Sequence, residues 1–495
     1  MTATLSDIRG ELQTLHVPSS LAFLNHVLAV SRSERKDPQL ERHLGILAHP
    51  LPVFVCHFLA KQIILNSSPL GPYRLDWGLL RRLIGMCIDL EDPIVSNPEW
   101  KNADPSGFFE RVLAQQIPPQ NLKELREYGL ALALFGDSES DFDLRGECER
   151  ELQMPLEKFL QFGFLCSAAT SAWQQGSVLT HDYLRQAYAA GVNIAVPEVW
   201  GPFLQRAACT PERFRQVCQD PTYRVCDERF AVSEFNPLTL YPLIEISPGR
   251  FLAPDPKLIV IRTTWGLFHD LFKARGCHFS TRFGAPFSRL VGRLLKSVCP
   301  LDRLWTDDLP SGAAGRRGDW AYVGQQRTVL IECKSARPTL ELTSMASEES
   351  VEDAATRIAG ALEQLIDQDA AVQRGEWIAD GLVPKSTVHL VVTFGQFTTL
   401  NGPFFRRRIE KALAERGRTP SAPYVVLGIQ EFDAVIHLAE LGERIDEVIS
   451  RLSTGTSFNP LDHYQAQLKE NMISRFARHY GEMVMDIVPA RIERC

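Results

Sequence analysis

The run T-V-H-L-V-V-T-F, from Thr387 to Phe394, restricts the fold more than any other segment. Most of its residues are β-branched, and its side chains are apolar at successive positions rather than alternate ones. A strand wetted on one face alternates apolar with polar. A continuous run suits the middle of a sheet that is covered on both faces. Helices must therefore flank that sheet, and this part of the chain must be α/β.

The neighbouring sequence supplies those helices. Pro286 suits a first helical position. Phe287, Val291, Leu294, Leu295 and Val298 then share one helical face, and Pro300 stops the helix. L-D-R-L-W-T-D-D-L, D-W-A-Y-V and R-T-V-L-I-E-C-K read as three short strands, joined by the turn-like S-G-A-A-G-R-R-G and G-Q-Q. An amphipathic helix covers roughly 351–373, with Ile358, Leu362, Leu365 and Ile366 inward. A basic helix, F-F-R-R-R-I-E-K-A-L-A-E-R-G-R, and a last strand, P-Y-V-V-L-G-I, follow the central run. The order from Pro286 is helix, three strands, helix, strand, helix, strand. Helical sequence resumes from about Asp433.

The first half has a different texture. Apolar residues recur at three and four positions in L-A-F-L-N-H-V-L-A-V, L-K-E-L-R-E-Y-G-L-A-L-A-L-F-G and P-L-E-K-F-L-Q-F-G-F-L-C-S-A. These are helices, and the pattern persists to about 235. P-L-I-E-I, S-P-G-R and F-L-A-P-D then form a hairpin with a Pro-Gly turn, and a helix is expected across Thr264–Lys273.

Length and composition narrow the class. A chain of 495 residues implies two or three domains. The longest apolar runs are too short for a membrane span, and the start M-T-A-T-L-S-D-I-R-G has no basic, apolar secretory pattern. The 11 cysteines are scattered, without C-x-x-C pairs, which suits free thiols of a reducing, cytoplasmic compartment rather than a zinc site. Net charge is -7, so any nucleic-acid contact must come from a local basic surface.

One segment suggests chemistry. Asp319 precedes the strand W-A-Y-V, and Glu332 and Lys334 close T-V-L-I-E-C-K on the next. Residues i and i+2 of a strand face one side, so Glu332 and Lys334 point together and Cys333 points away. Two carboxylates on neighbouring strands suit Mg²⁺ or Mn²⁺, which take a few carboxylates plus waters. The Cys333 backbone carbonyl is a further ligand. Such an ion polarises phosphoryl oxygens and lowers the pKa of an attacking water, and a lysine beside it orients that water or meets the phosphate charge. The same acid-x-lysine pattern at Asp255-Pro256-Lys257 has a proline at its centre, against a strand interior.

Across about 280–435 the chain resembles the PD-(D/E)XK, or restriction-endonuclease-like, nuclease superfamily. The resemblance rests on Gly318-Asp319-Trp320, on Leu330-Ile331-Glu332-Cys333-Lys334 and on the αβββαβ order. It implies a mixed central sheet, metal binding by Asp319 and Glu332, and assistance to the water by Lys334. The chain departs from the family pattern in two places. Ser288 stands where many members carry a glutamate on the first core helix. The helix after the lysine offers Gln364 and Gln368 but no tyrosine, and only Gln364 is given a role.

Other residues are candidates for nucleic-acid contact. Arg316, Arg317 and Arg337 flank the acids and lysine, and Arg406, Arg407 and Arg408 cluster on the basic helix. Trp320 reads as core. There is no phosphate-binding G-x-x-x-x-G-K-[ST] run and no G-x-S-x-G elbow, which argues against a motor ATPase or a serine hydrolase. No organic cofactor is expected.

The expected fold is therefore multi-domain α/β. Residues 1–235 are mainly helical, for recognition of substrate, a partner protein or a second copy. Residues 236–445 form the nuclease domain, and 446–495 a C-terminal helical segment. The expected activity is hydrolysis of a nucleic-acid phosphodiester, DNA foremost. Restriction or anti-phage defence follows only by fold-level analogy. The alternative is a degraded nuclease fold serving as a nucleic-acid-binding or protein-interaction scaffold.

Overall fold

The computed structural model describes residues 3–32, 38–45, 51–90, 122–139, 142–171, 178–220, 231–232, 235–306, 318–335, 348–375, 386–395, 400–455, 461, 464 and 473–486. The chain is mixed α/β and mostly helical, with two mixed sheets. Among the described residues no helix is long and apolar enough to cross a membrane.

Five helices, Leu5–Leu12, Val17–Ser31, Pro38–Leu44, Val53–Asn66 and Trp77–Ile88, open the chain. Leu21, Leu24, Phe58, Leu59, Ile63 and Leu83 form their core, which Leu238, Ile244, Leu252 and Leu258 complete from beyond residue 235. A small sheet runs alongside in the order β1-β4-β3-β2. Its strands are β1 (Leu179–Thr180), β2 (Ala208–Cys209), β3 (Leu243–Ser247) and β4 (Arg250–Leu252). β3 and β4 are the expected hairpin, and Gly249 turns it at φ +70°, a conformation that glycine adopts without a steric penalty. β1 and β2 have only two residues each, too few to show an alternation in sequence.

The second sheet has five strands in sequence order: β5 (Leu304–Thr306), β6 (Trp320–Val323), β7 (Thr328–Lys334), β8 (Thr387–Thr393) and β9 (Tyr424–Gly428). β5, β6 and β7 are antiparallel, whereas β7, β8 and β9 are parallel. Parallel neighbours need a crossover. Helix Glu348–Gln373 lies between β7 and β8 in the chain, and Pro403–Glu415 lies between β8 and β9. Both cover one face, where Leu330, Val391 and Val426 meet Ile358, Leu362, Leu365, Phe404 and Ile409. The other face meets Phe287 and Leu290 of Gly284–Lys296, Phe432 and Ile436 of Ile429–Glu440, and Ile449 of Ile445–Thr454. Burial on both faces explains why Leu390, Val391 and Val392 of β8 are apolar at successive positions.

Two helix boundaries differ from the sequence pattern. The Gly284–Lys296 helix starts ahead of Pro286, and the helix expected across Thr264–Lys273 runs over Gly266–Arg275, with a further helix, Pro256–Thr263, just before it. Packing also crosses the change of texture near 236. The core under the second sheet takes Tyr128, Phe135, Phe159 and Phe203 from the first half of the chain. Helix Arg475–Met485, the last one among the described residues, is docked along Glu124–Phe135.

Candidate active site

The β6–β7 pairing ends at Trp320 opposite Ile331. Asp319 stands just outside that last pair, and Glu332, Cys333 and Lys334 extend β7 past it. On the β8 side the Lys334 carbonyl accepts from the Phe394 amide at 3.0 Å. Backbone groups alternate between the two edges of a strand, so the Cys333 amide and carbonyl leave on the opposite edge, where β6 has ended. Asp319 occupies that edge. Its Oδ2 accepts from the Cys333 N–H at 2.6 Å, so a side chain continues the ladder where backbone no longer does.

Glu332 and Lys334 leave the same side of β7. The Lys334 Nζ donates to Glu332 Oε1 and, at 2.6 Å, to Gln364 Oε1 on helix Glu348–Gln373. Glu332 is only 3% exposed. Its Oε2 is buried and accepts no hydrogen bond from the described residues. Burial pushes its carboxyl up to about 7, the neighbouring Asp319 charge adds to this, and the Lys334 ammonium opposes it. A buried carboxylate with an open oxygen beside a second carboxylate is an environment that a hard cation relieves.

Asp319, Glu332 and the Cys333 carbonyl are the groups able to hold such an ion. Among the described residues no cluster of three or more His, Cys, Asp or Glu side chains comes together at one point. The Cys333 thiol is buried, and burial together with the Asp319 and Glu332 charges pushes its pKa well up. It is therefore not a reactive thiolate.

The surrounding side chains fix this geometry. Trp320 is a core residue. Its ring lies against Gly292, where an added Cβ would come within 2.5 Å of Cη2. Its Nε1 donates to the Ser288 Oγ and carbonyl, both at 3.1 Å. Ser288 of helix Gly284–Lys296 thus holds the indole. Gln368 Oε1 accepts from the Gly318 N–H at 3.2 Å. The sequence singles out neither contact; the one available hint is that Gln368 follows Gln364 by four residues and so shares its helical face.

Arg316, Arg317 and Arg337 lie outside the described residues. Arg406 donates to the carbonyls of Tyr424 (2.9 Å) and Ser453 (3.2 Å), with its guanidinium 4.8 Å from the Tyr424 ring centre. Arg408 pairs with Glu352 at 3.3 Å and lies 3.7 Å from the Phe404 ring centre. Arg407 is exposed. The basic cluster is thus divided, with two of its arginines binding the fold itself. Asp255-Pro256-Lys257, the rival acid-x-lysine, is a helix start whose Asp255 Oδ1 accepts from the Lys257 amide at 3.0 Å.

Comparison of the chain with protein-family models, curated proteins and solved structures finds no match. The site is therefore interpreted from its own chemistry.

Proposed function

We propose that this protein is a metal-dependent nuclease that hydrolyses nucleic-acid phosphodiester bonds, DNA foremost. One observation carries the reading: at the end of β7 the Asp319 carboxylate meets the Cys333 amide, Lys334 meets Glu332, and the Asp319 and Glu332 charges lie close enough to act on one another. The order helix, three strands, helix, strand around a mixed sheet supports a restriction-endonuclease-like core.

In this reading Asp319 and Glu332, with the Cys333 carbonyl, hold Mg²⁺ or Mn²⁺. When bound, the ion supplies Lewis acidity toward a phosphoryl oxygen and acidifies a water. The chain's own groups do the rest. Lys334, whose ammonium donates to Glu332 and Gln364, would orient the water or meet charge on the phosphate. Gln364 holds that ammonium through a neutral acceptor and adds no further negative charge. The helical regions would recognise the substrate, a partner protein or a second copy. Restriction or anti-phage defence is the setting that this combination suggests. Ser288 favours the second reading, a binding scaffold on a degraded site, because its hydroxyl is engaged with Trp320 and adds no carboxylate.

The test is incubation of the purified chain with plasmid, single-stranded DNA and RNA in Mg²⁺, Mn²⁺ or EDTA, beside Asp319→Ala and Lys334→Ala. Cleavage that needs metal and is lost in both variants is the expected result. Salt-dependent DNA binding without cleavage under any condition would replace the nuclease with the scaffold.

A further inference from the structure

Helix Glu348–Gln373 touches both halves of the site through two side chains one turn apart. Gln364 accepts from Lys334 Nζ at 2.6 Å, and Gln368 accepts from the Gly318 amide at 3.2 Å. Residues i and i+4 lie one above the other on a helix, so one rigid face sets both contacts. The Gly318 end is closely fitted. A Cβ there would stand 2.7 Å from Gln368 Oε1, 2.9 Å from the Ile331 carbonyl oxygen and 2.9 Å from Leu365 Cδ2. No side chain fits between this backbone and the helix. Gly318 is bonded directly to Asp319, whose carboxylate reaches the Cys333 amide. The path from Gln368 to the acid is therefore one hydrogen bond and one peptide unit.

Two arginines brace the same helix from outside. Arg416 pairs with Glu363 at 3.1 Å, and Arg418 pairs with Asp367 at 2.8 Å. Each braced acid directly precedes one of the two glutamines.

We infer that Gln368 is a positioning residue for this site: its side-chain carbonyl fixes the Gly318 amide and so determines where the Asp319 carboxylate stands. The inference rests on the nuclease reading. Gln368 bonds the Gly318 amide and acts through Asp319. A carboxylate freed to move by about 1 Å costs on the order of a hundredfold in rate.

The experiment compares the full chain with Gln368→Met, which keeps length and removes the acceptor, and Gln368→Glu, which restores an acceptor. Mn²⁺ affinity is measured by electron paramagnetic resonance of the free ion, and kcat and KM on DNA are measured in parallel. Gln368→Met is expected to weaken Mn²⁺ binding about tenfold and to lower kcat about a hundredfold with KM within about twofold. Gln368→Glu should recover most of the kcat. A merely structural role would lower thermal stability in both variants and leave Mn²⁺ affinity and kcat per folded molecule unchanged, which overturns the inference. Should the intact chain cleave while Asp319→Ala does not, and Gln368→Met match the intact chain, only the positioning role falls. Should the intact chain neither bind Mn²⁺ nor cleave, the nuclease reading falls and the inference with it.

Discussion

Replacing Gly129 with alanine should loosen the docking of helix Arg475–Met485 on helix Glu124–Phe135. Helices Glu124–Phe135 and Arg475–Met485 cross with Gly129 facing Gly481. A Cβ on residue 129 would fall on the Ala477 carbonyl oxygen, 2.8 Å from its carbon and 3.0 Å from the Gly481 nitrogen. These are backbone atoms, so no rotamer change relieves the clash. Carbon contacts settle near 3.5–4.0 Å, so the helices must part by about 1 Å. Overpacking of this kind costs about 1–3 kcal/mol, and two-sided backbone contact places it at the upper end. Alanine returns about 1 kcal/mol of helix propensity. The net expectation is a loss of about 2 kcal/mol. Gly85→Ala is the control, because it lies in helix Trp77–Ile88 and its Cβ would meet nothing within 4 Å. It should gain up to about 1 kcal/mol. Urea denaturation followed by hydrogen exchange over 124–135 and 475–485 reads both effects. If Gly129→Ala is as stable as the parent and those amides stay equally protected, the close crossing is wrong.

Three other outcomes follow from buried polar groups. Arg32 binds Asp255 through two hydrogen bonds of 2.5 and 2.7 Å, and Asp255 is fully buried; Arg32→Met should cost about 3–5 kcal/mol in urea, and a loss under 1 kcal/mol would show that His57, 2.6 Å from Asp255, suffices. Burial pulls the His389 pKa from its ordinary value near 6.5 down to about 4. The nearby Asp369 charge opposes this shift, and the unfolded chain still takes up a proton more readily than the folded chain, so stability falls as pH drops from 6.5 to 4 and His389→Gln should flatten that slope; an unchanged slope would assign the acid loss to other groups. Arg406→Met should lower stability by about 1–3 kcal/mol, because it strips partners from the Tyr424 and Ser453 carbonyls, and should leave DNA affinity unchanged; a drop in affinity with a shallower salt dependence would instead place Arg406 on phosphates.

Much of the second sheet was legible because its signals are local. β-branched apolar runs marked β7, β8 and β9, and S-P-G-R marked the β3–β4 turn. The acid-x-lysine at the end of β7 was legible because side-chain alternation alone puts Glu332 and Lys334 on one side. The partners of those residues were not. The contact of Gln368 depends on helix Glu348–Gln373 lying over the sheet, and Arg406, a candidate for nucleic-acid contact by its sequence, has its guanidinium against Tyr424 in the fold. β1 and β2 were invisible because two residues carry no period, and their pairing is set by β3 and β4.

The sequence by itself determined the element order from Pro286, the two-sided burial of β8 and the acid–lysine pair on β7, since each follows from local patterns along a short stretch. The tertiary structure alone decided which carboxylate oxygen is left open, which helix grips the Gly318 amide, and that the last described helix is docked on residues 124–135. Those outcomes depend on distances between segments far apart in the chain, and a local pattern carries no information about such distances.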